Sequence, residues 1–172
     1  MSAHEHAAST AQSFQYLTFY CGKELFGLAV EAVKQIIEPD SMTRIPGAAS
    51  YIRGVIEVND DVIPIIDLPM KVGATVHGQA RRSCVVLARV PQESKEATIG
   101  LWVTEVREIV AVEAKNIRST PSVHEEAGDK DYVGSLVHTD DGLVVLIDPQ
   151  QVLTAEEFSH TRQLQQDYSV DQ

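Results

Sequence analysis

An all-β fold of two pseudo-symmetric barrels packed on a shared core, closed by a C-terminal helix, is the architecture this sequence predicts, and three observations predict it. The first is an internal repeat. Gly27-Leu28-Ala29-Val30-Glu31-Ala32-Val33-Lys34-Gln35-Ile36-Ile37 aligns with Gly100-Leu101-Trp102-Val103-Thr104-Glu105-Val106-Arg107-Glu108-Ile109-Val110 at a shift of 73, with five of the eleven pairs identical. A second segment, Tyr51 to Asp67, aligns with Val133 to Asp148 at a shift of 80, growing to 81 at Asp67/Asp148. Two matches in the same order imply two homologous modules of about 70–80 residues, a pseudo-dimer rather than a solenoid. The second observation is that the apolar runs are short, rich in Val and Ile, and separated by turn residues. The third is Asp148 followed by Pro149, an N-cap and first-position pair that opens a helix.

Strands are predicted over Tyr16–Cys21, Leu25–Val30, Val55–Val58 and Val62–Ile66, then over Cys84–Ala88, Ile99–Val103, Ile109–Val112, Leu136–His138 and Leu143–Ile147. Asn59-Asp60-Asp61 and Thr139-Asp140-Asp141-Gly142 read as hairpin turns. Ile63–Ile66 and Val144–Ile147 are unbroken apolar runs, as expected of strands buried on both faces. Ala48–Ile52 could form a helical turn or two. The helix opened at Asp148 should run toward Leu164, with Gln165–Gln172 a tail, and Met70–Ala80, Pro91–Lys95 and Arg118–Lys130 are read as loops. Residues 1–13 form a disordered tail, 14–158 one domain with the two barrels interleaved around the shared core, and 159–172 the helix end and tail.

Composition narrows the function. Within 172 residues, 44% are apolar and 23% charged, ordinary for a globular chain that folds without metal or disulfide. Fourteen basic against 25 acidic side chains give a net charge of −11, which repels nucleic acid and anionic bilayers. The polar N-terminus and the absence of a run of about 18 apolar residues predict a cytoplasmic protein with no membrane insertion. Cys21 and Cys84 lie in apolar runs and read as small buried hydrophobes. His4 and His6 belong to the tail.

Catalytic equipment is sparse. The sequence has no phosphate-binding glycine loop, dinucleotide fingerprint, His-Glu-x-x-His or Cys-x-x-Cys motif. Asp60-Asp61 and Asp140-Asp141 could share a proton or hold a divalent cation, which would make a cation-dependent enzyme. Turn chemistry accounts for them more simply. His77, His124 and His138 have no elbow nucleophile to serve. Trp102 reads as a core strand residue, with a partner anchor as the alternative.

Beyond these patterns, the segments Phe19-Tyr20-Cys21-Gly22-Lys23-Glu24-Leu25-Phe26-Gly27-Leu28, Val33-Lys34-Gln35-Ile36-Ile37, Thr43-Arg44-Ile45-Pro46, Tyr51-Ile52-Arg53-Gly54-Val55-Ile56 and Val62-Ile63-Pro64-Ile65-Ile66-Asp67-Leu68 resemble the CheW-like family of chemotaxis adaptors. The resemblance implies two five-stranded SH3-like barrels around a common core, no enzymatic activity and no cofactor. It implies two partners, the cytoplasmic tip of a chemoreceptor and the regulatory domain of a histidine kinase. The receptor's helical hairpin would enter a groove at Val30, Val33, Val55, Asn59 and Ile109, and the kinase would meet Gln35 and Ile36. The groove residues also recur between modules, as a shared core would require, so surface and core readings both stand. One departure is plain: where the family carries Asn-Leu-Arg-Gly, this chain reads Glu57-Val58-Asn59-Asp60. Losing the arginine's planar cation admits an auxiliary adaptor of a pilus or surface-sensing pathway.

Overall fold

The computed structural model describes residues 13–78, 80–91, 96–119 and 133–168. The strands are β1 (Ser13–Cys21), β2 (Glu24–Ala29), β3 (Val33–Ile37), β4 (Ile52–Val58), β5 (Asp61–Asp67), β6 (Cys84–Val90), β7 (Ala97–Val103), β8 (Glu105–Glu113), β9 (Ile117–Ser119), β10 (Val133–Thr139) and β11 (Gly142–Ile147). Helix α1 spans Leu68–Val72 and α2 spans Ala155–Tyr168.

Two sheets form, and each takes strands from both halves of the chain. The first has the order β8-β1-β2-β11-β10-β9 and the second β3-β6-β7-β5-β4. Pairing each strand with its repeat counterpart (β1 with β6, β2 with β7, β3 with β8, β4 with β10, β5 with β11) converts one order into the other. Even the last position agrees, since Thr43 bridges Val55 where β9 places Arg118 opposite Leu136. Gly27 and Gly100 occupy matching places: each lies on the third strand, opposite Leu146 and Ile65 respectively, in the one parallel pairing of its sheet. A single Cβ at either glycine would press into that parallel neighbour, at 2.9 Å from Leu146 Cδ2 or 2.3 Å from Ile65 Cδ1. The repeat is therefore real, but its two copies exchange strands.

Alternation along the strands builds three apolar clusters. Leu17, Phe19 and Leu28 from the first sheet meet Ile66, Val86 and Leu101 from the second in the shared core. Ile63, Ile65, Val85, Leu87 and Trp102 fill the inside of the second sheet, and Val112, Val137, Val144 and Leu146 that of the first. Ile63–Ile66 and Val144–Ile147 lack polar alternation because both faces of β5 and β11 are covered. Neither sheet joins its end strands by hydrogen bonds among the described residues, so these are open sheets rather than closed barrels. Bulges sharpen their curvature, and Thr18 stitches the one between β1 and β8: its hydroxyl donates to Glu108 O (2.7 Å) and accepts from Glu108 N (3.2 Å).

Other elements depart from expectation. β3 was hidden by Lys34 and Gln35, which interrupt its apolar run. Arg118 and Ser119 belong to β9 rather than a loop, and Met70–Val72 belongs to α1. Ala48–Ile52 forms no helix: Ser50 and Tyr51 make a turn and Ile52 begins β4. Asp148 does cap Gln150 N (3.0 Å), but it opens only a 3-10 turn over Pro149–Gln151. The helix proper starts at Ala155, behind a capping box in which Glu157 N donates to Thr154 Oγ1 (3.1 Å) and Thr154 N to Glu157 Oε1 (3.0 Å). It passes Leu164 and reaches Tyr168. Residues 1–12, most of Pro91–Lys95, Thr120–Lys130 and His124 within it, and 169–172 lie outside the described residues.

The two hairpins turn differently. Asp140-Asp141 is followed by Gly142 at φ 117°, whereas Asn59 (φ 51°) and Asp60 (φ 70°) both hold left-handed backbone, the pattern of a type I′ turn. Asparagine tolerates this conformation; aspartate at the second position favours it less than glycine does. Asp60→Gly is therefore expected to raise stability by about 0.5–1 kcal/mol, read as a higher melting temperature. A lower melting temperature would show that the Asp60 carboxylate contributes more than its backbone costs.

Candidate protein-interaction surfaces

The predicted groove residues divide by burial. Val30 opens a 3-10 turn, Val30–Ala32, that touches β1 of the first sheet and β6 of the second, so it sits at the seam between them. Val33, on β3 opposite Ala88, is half-buried against the shared core. Ile109, on the end strand β8, shares a row with Leu17 and Leu28; both of those are buried, yet Ile109 is 57% exposed. It carries the apolar row of the common core out to solvent. Val55 is only 8% exposed, paired with Pro64 and clamped to Thr43 by two backbone hydrogen bonds of 2.8 Å, so it offers a partner little surface.

Gln35 and Ile36, adjacent on β3, face opposite ways. Gln35 looks toward Leu87 and lines a cavity of about 480 Å³ with Asn59, Asp61 and Gln165. Ile36 stands opposite Val86 on the shared-core side and is 43% exposed. The structure thus brings Gln35 to Asn59 and makes Ile36 the counterpart of Ile109, an exposed apolar residue on each sheet's end strand. Flanking charges such as Lys34 and Glu108 keep these edges from pairing indiscriminately.

One cluster went unassigned in the sequence. Arg53 lays its guanidinium 3.8 Å from the Trp102 ring and 3.0 Å from Asp67 Oδ2, while Asp67 Oδ1 accepts from Met70 N (3.0 Å) to cap α1. These residues, with Met42, Met70 and Val76, line a cleft of about 720 Å³. Arg53 and Asp67 stand in the quoted segments, but their convergence on Trp102 depends on the parallel β5–β7 pairing, which no local pattern announces. Trp102 is accordingly a core residue, 7% exposed, with one face given to a cation.

Chemistry beyond binding finds little support in these groups. The described residues contain no cluster of three or more metal-ligating side chains. Asp60 and Asp140 occupy turns of different sheets, and Asp141 is held by Arg107 at 3.3 Å. Burial pushes both the Cys21 and Cys84 thiols up from the ordinary value of 9.0, which leaves them protonated and poorly nucleophilic at neutral pH. Both cysteines are free. No helix among the described residues is long and apolar enough to cross a membrane.

Comparison with known proteins supplies the context. The family model described as CheW-like domain matches residues 15–157. The chemotaxis protein CheW of Treponema pallidum (strain Nichols) is 23% identical over 150 residues, covering 85% of this chain and 85% of that protein. That of Bacillus subtilis (strain 168) is 27% identical over 135 residues, covering 78% and 83%. Among solved structures, the scaffolding protein TtCheW from Thermoanaerobacter tengcongensis matches with a TM-score of 0.69 at 26% identity, over 80% of this chain and 90% of that one.

Proposed function

The chain belongs to the CheW-like family, and from that premise we propose that it is a non-enzymatic cytoplasmic adaptor coupling a chemoreceptor's cytoplasmic tip to the regulatory domain of a histidine kinase. The observation that carries this reading is the pair of exposed isoleucines, Ile36 and Ile109, which extend the shared core to the two sheet edges within a family match spanning both sheets. Such a molecule can offer apolar anchors to two partners without moving. The receptor hairpin's apolar ridge would lie along the seam at Val30, Val33 and Ile109, and the kinase domain against β3 at Gln35 and Ile36. Asn59, in place of the family's arginine, puts a neutral hydrogen-bonding group in the cavity beside Gln35 where relatives carry a cation. That difference fits an auxiliary adaptor paired with its own receptor set. The unit over 14–158 acts as one body, because each sheet is built from both halves.

The test is binding of a purified receptor cytoplasmic fragment and kinase regulatory domain, with melting temperature measured on the same samples. Ile109→Ser should melt near wild type and bind the receptor fragment about tenfold more weakly, since its exposed side chain stabilises the fold little but a buried contact much. Val33→Ser should instead cost about 1–2 kcal/mol of stability, because Val33 is half-buried on the core. If wild type binds neither partner and a divalent-cation-dependent hydrolysis disappears with Asp60→Asn/Asp140→Asn, the adaptor reading fails in favour of an enzyme.

A further inference from the structure

The pseudo-symmetry of the two sheets identifies a bare face whose counterpart is covered by a helix. Helix α2 runs along β5: Phe158 and Thr161 lie against Pro64, and Gln165 reaches the β4–β5 hairpin beside Asn59. Beneath this cover Val62 is 5% exposed and Pro64 is buried. Their counterparts in the first sheet stand in identical register, Leu136 opposite Val145 and His138 opposite Leu143, as Val55 stands opposite Pro64 and Glu57 opposite Val62. Here Leu143 is 52% exposed and Leu136 and Val145 are half-buried. No described helix runs along β11. A cavity of about 490 Å³ opens there, lined by Leu136, Leu143, His138, Arg118 and Asn116.

We propose that this face, Leu136 and Leu143 rimmed by Arg118 and His138, docks an amphipathic helix with acidic residues on its flank, supplied by the receptor's cytoplasmic hairpin. The molecule itself shows that a helix of three to four turns fits such a surface, since α2 has 14 residues. Charge selects the flank: Arg118 is exposed and has no ion pair among the described residues, so the cation is free for a carboxylate. Of the two proposed partners, the receptor hairpin is the helical one, and the inference rests on that reading. The site is separate from the seam at Ile109 and would add a second contact with the same receptor.

Binding of the receptor cytoplasmic fragment by Leu143→Ser and Arg118→Glu tests it, with kinase-domain binding and melting temperature as controls. Both side chains are exposed, so both variants should melt like wild type and keep kinase binding. Each should bind the receptor fragment about tenfold or more weakly, and the salt dependence of binding should flatten for Arg118→Glu. Receptor binding unchanged in both variants would overturn this proposal while leaving the adaptor reading intact. Wild type failing to bind the receptor would overturn both. If Leu143→Ser instead converts a dimer of this chain to monomer with receptor binding unchanged, a second copy is the occupant and the proposal falls.

Discussion

Gly100→Ala should destabilise the protein by about 2–3 kcal/mol, lowering the melting temperature by roughly 5–10 °C, although the change adds one methyl group. That methyl would stand 2.3 Å from Ile65 Cδ1 and 3.0 Å from Val85 Cγ1. Both neighbours are fully buried, so Ile65 has no open space into which to rotate. The matching change in the other sheet, Gly27→Ala, meets Leu146 Cδ2 at 2.9 Å and Val144 Cγ1 at 3.1 Å, a milder overlap with side-chain tips. It should cost about 1 kcal/mol. A Gly100→Ala variant as stable as wild type would mean that the parallel β5–β7 contact is looser than described.

Glu157→Ala should cost about 2–3 kcal/mol and release α2. Glu157 Oε1 receives Lys71 Nζ at 2.6 Å and Thr154 N at 3.0 Å, so one carboxylate both ties α2 to α1 and caps its own helix. The Lys71 side chain is only 9% exposed and lies 4.9 Å from the Tyr51 ring. Removing the carboxylate leaves that ammonium buried without its counter-ion. Hydrogen exchange of the α2 amides should accelerate along with the drop in melting temperature. Adding Lys71→Met should recover part of the loss; if the double variant is less stable than Glu157→Ala, the pair is not the fastening. The Tyr51 hydroxyl, buried and without a hydrogen-bond partner among the described residues, sits under the same helix, so its exposure to solvent reports the release.

Much of this was readable in advance, for identifiable reasons. Gly27 and Gly100 aligned because each must admit a parallel neighbour, and the unbroken run at Ile63–Ile66 announced a strand covered on both faces. The hairpin turns at Asn59 and Asp140 carried their own chemistry. β3 was not readable, because an end strand with one solvated face is free to place Lys34 and Gln35 in mid-run. The true start of α2 was written in Thr154-Ala155-Glu156-Glu157, a capping box overshadowed by the Asp148-Pro149 signal six residues earlier. Ile109 and Ile36 come forward through the family resemblance, but which face of β3 Gln35 and Ile36 each take depends on the β3–β6 register and its bulge. The Arg53–Asp67–Trp102 cluster and the contrast between Val62 and Leu143 arise only when distant strands meet.

The exchange of strands between the halves also sets the timetable of synthesis. β2 completes its sheet only by pairing with β11, and that strand leaves the ribosome more than a hundred residues later, a delay on the order of 10 s. The second sheet is finished sooner, once β7 arrives to join β5. Until that second sheet forms, then, the earliest hairpin waits with Leu17, Phe19 and Leu28 uncovered, and the nascent chain depends on it as the first surface against which they can be sheltered.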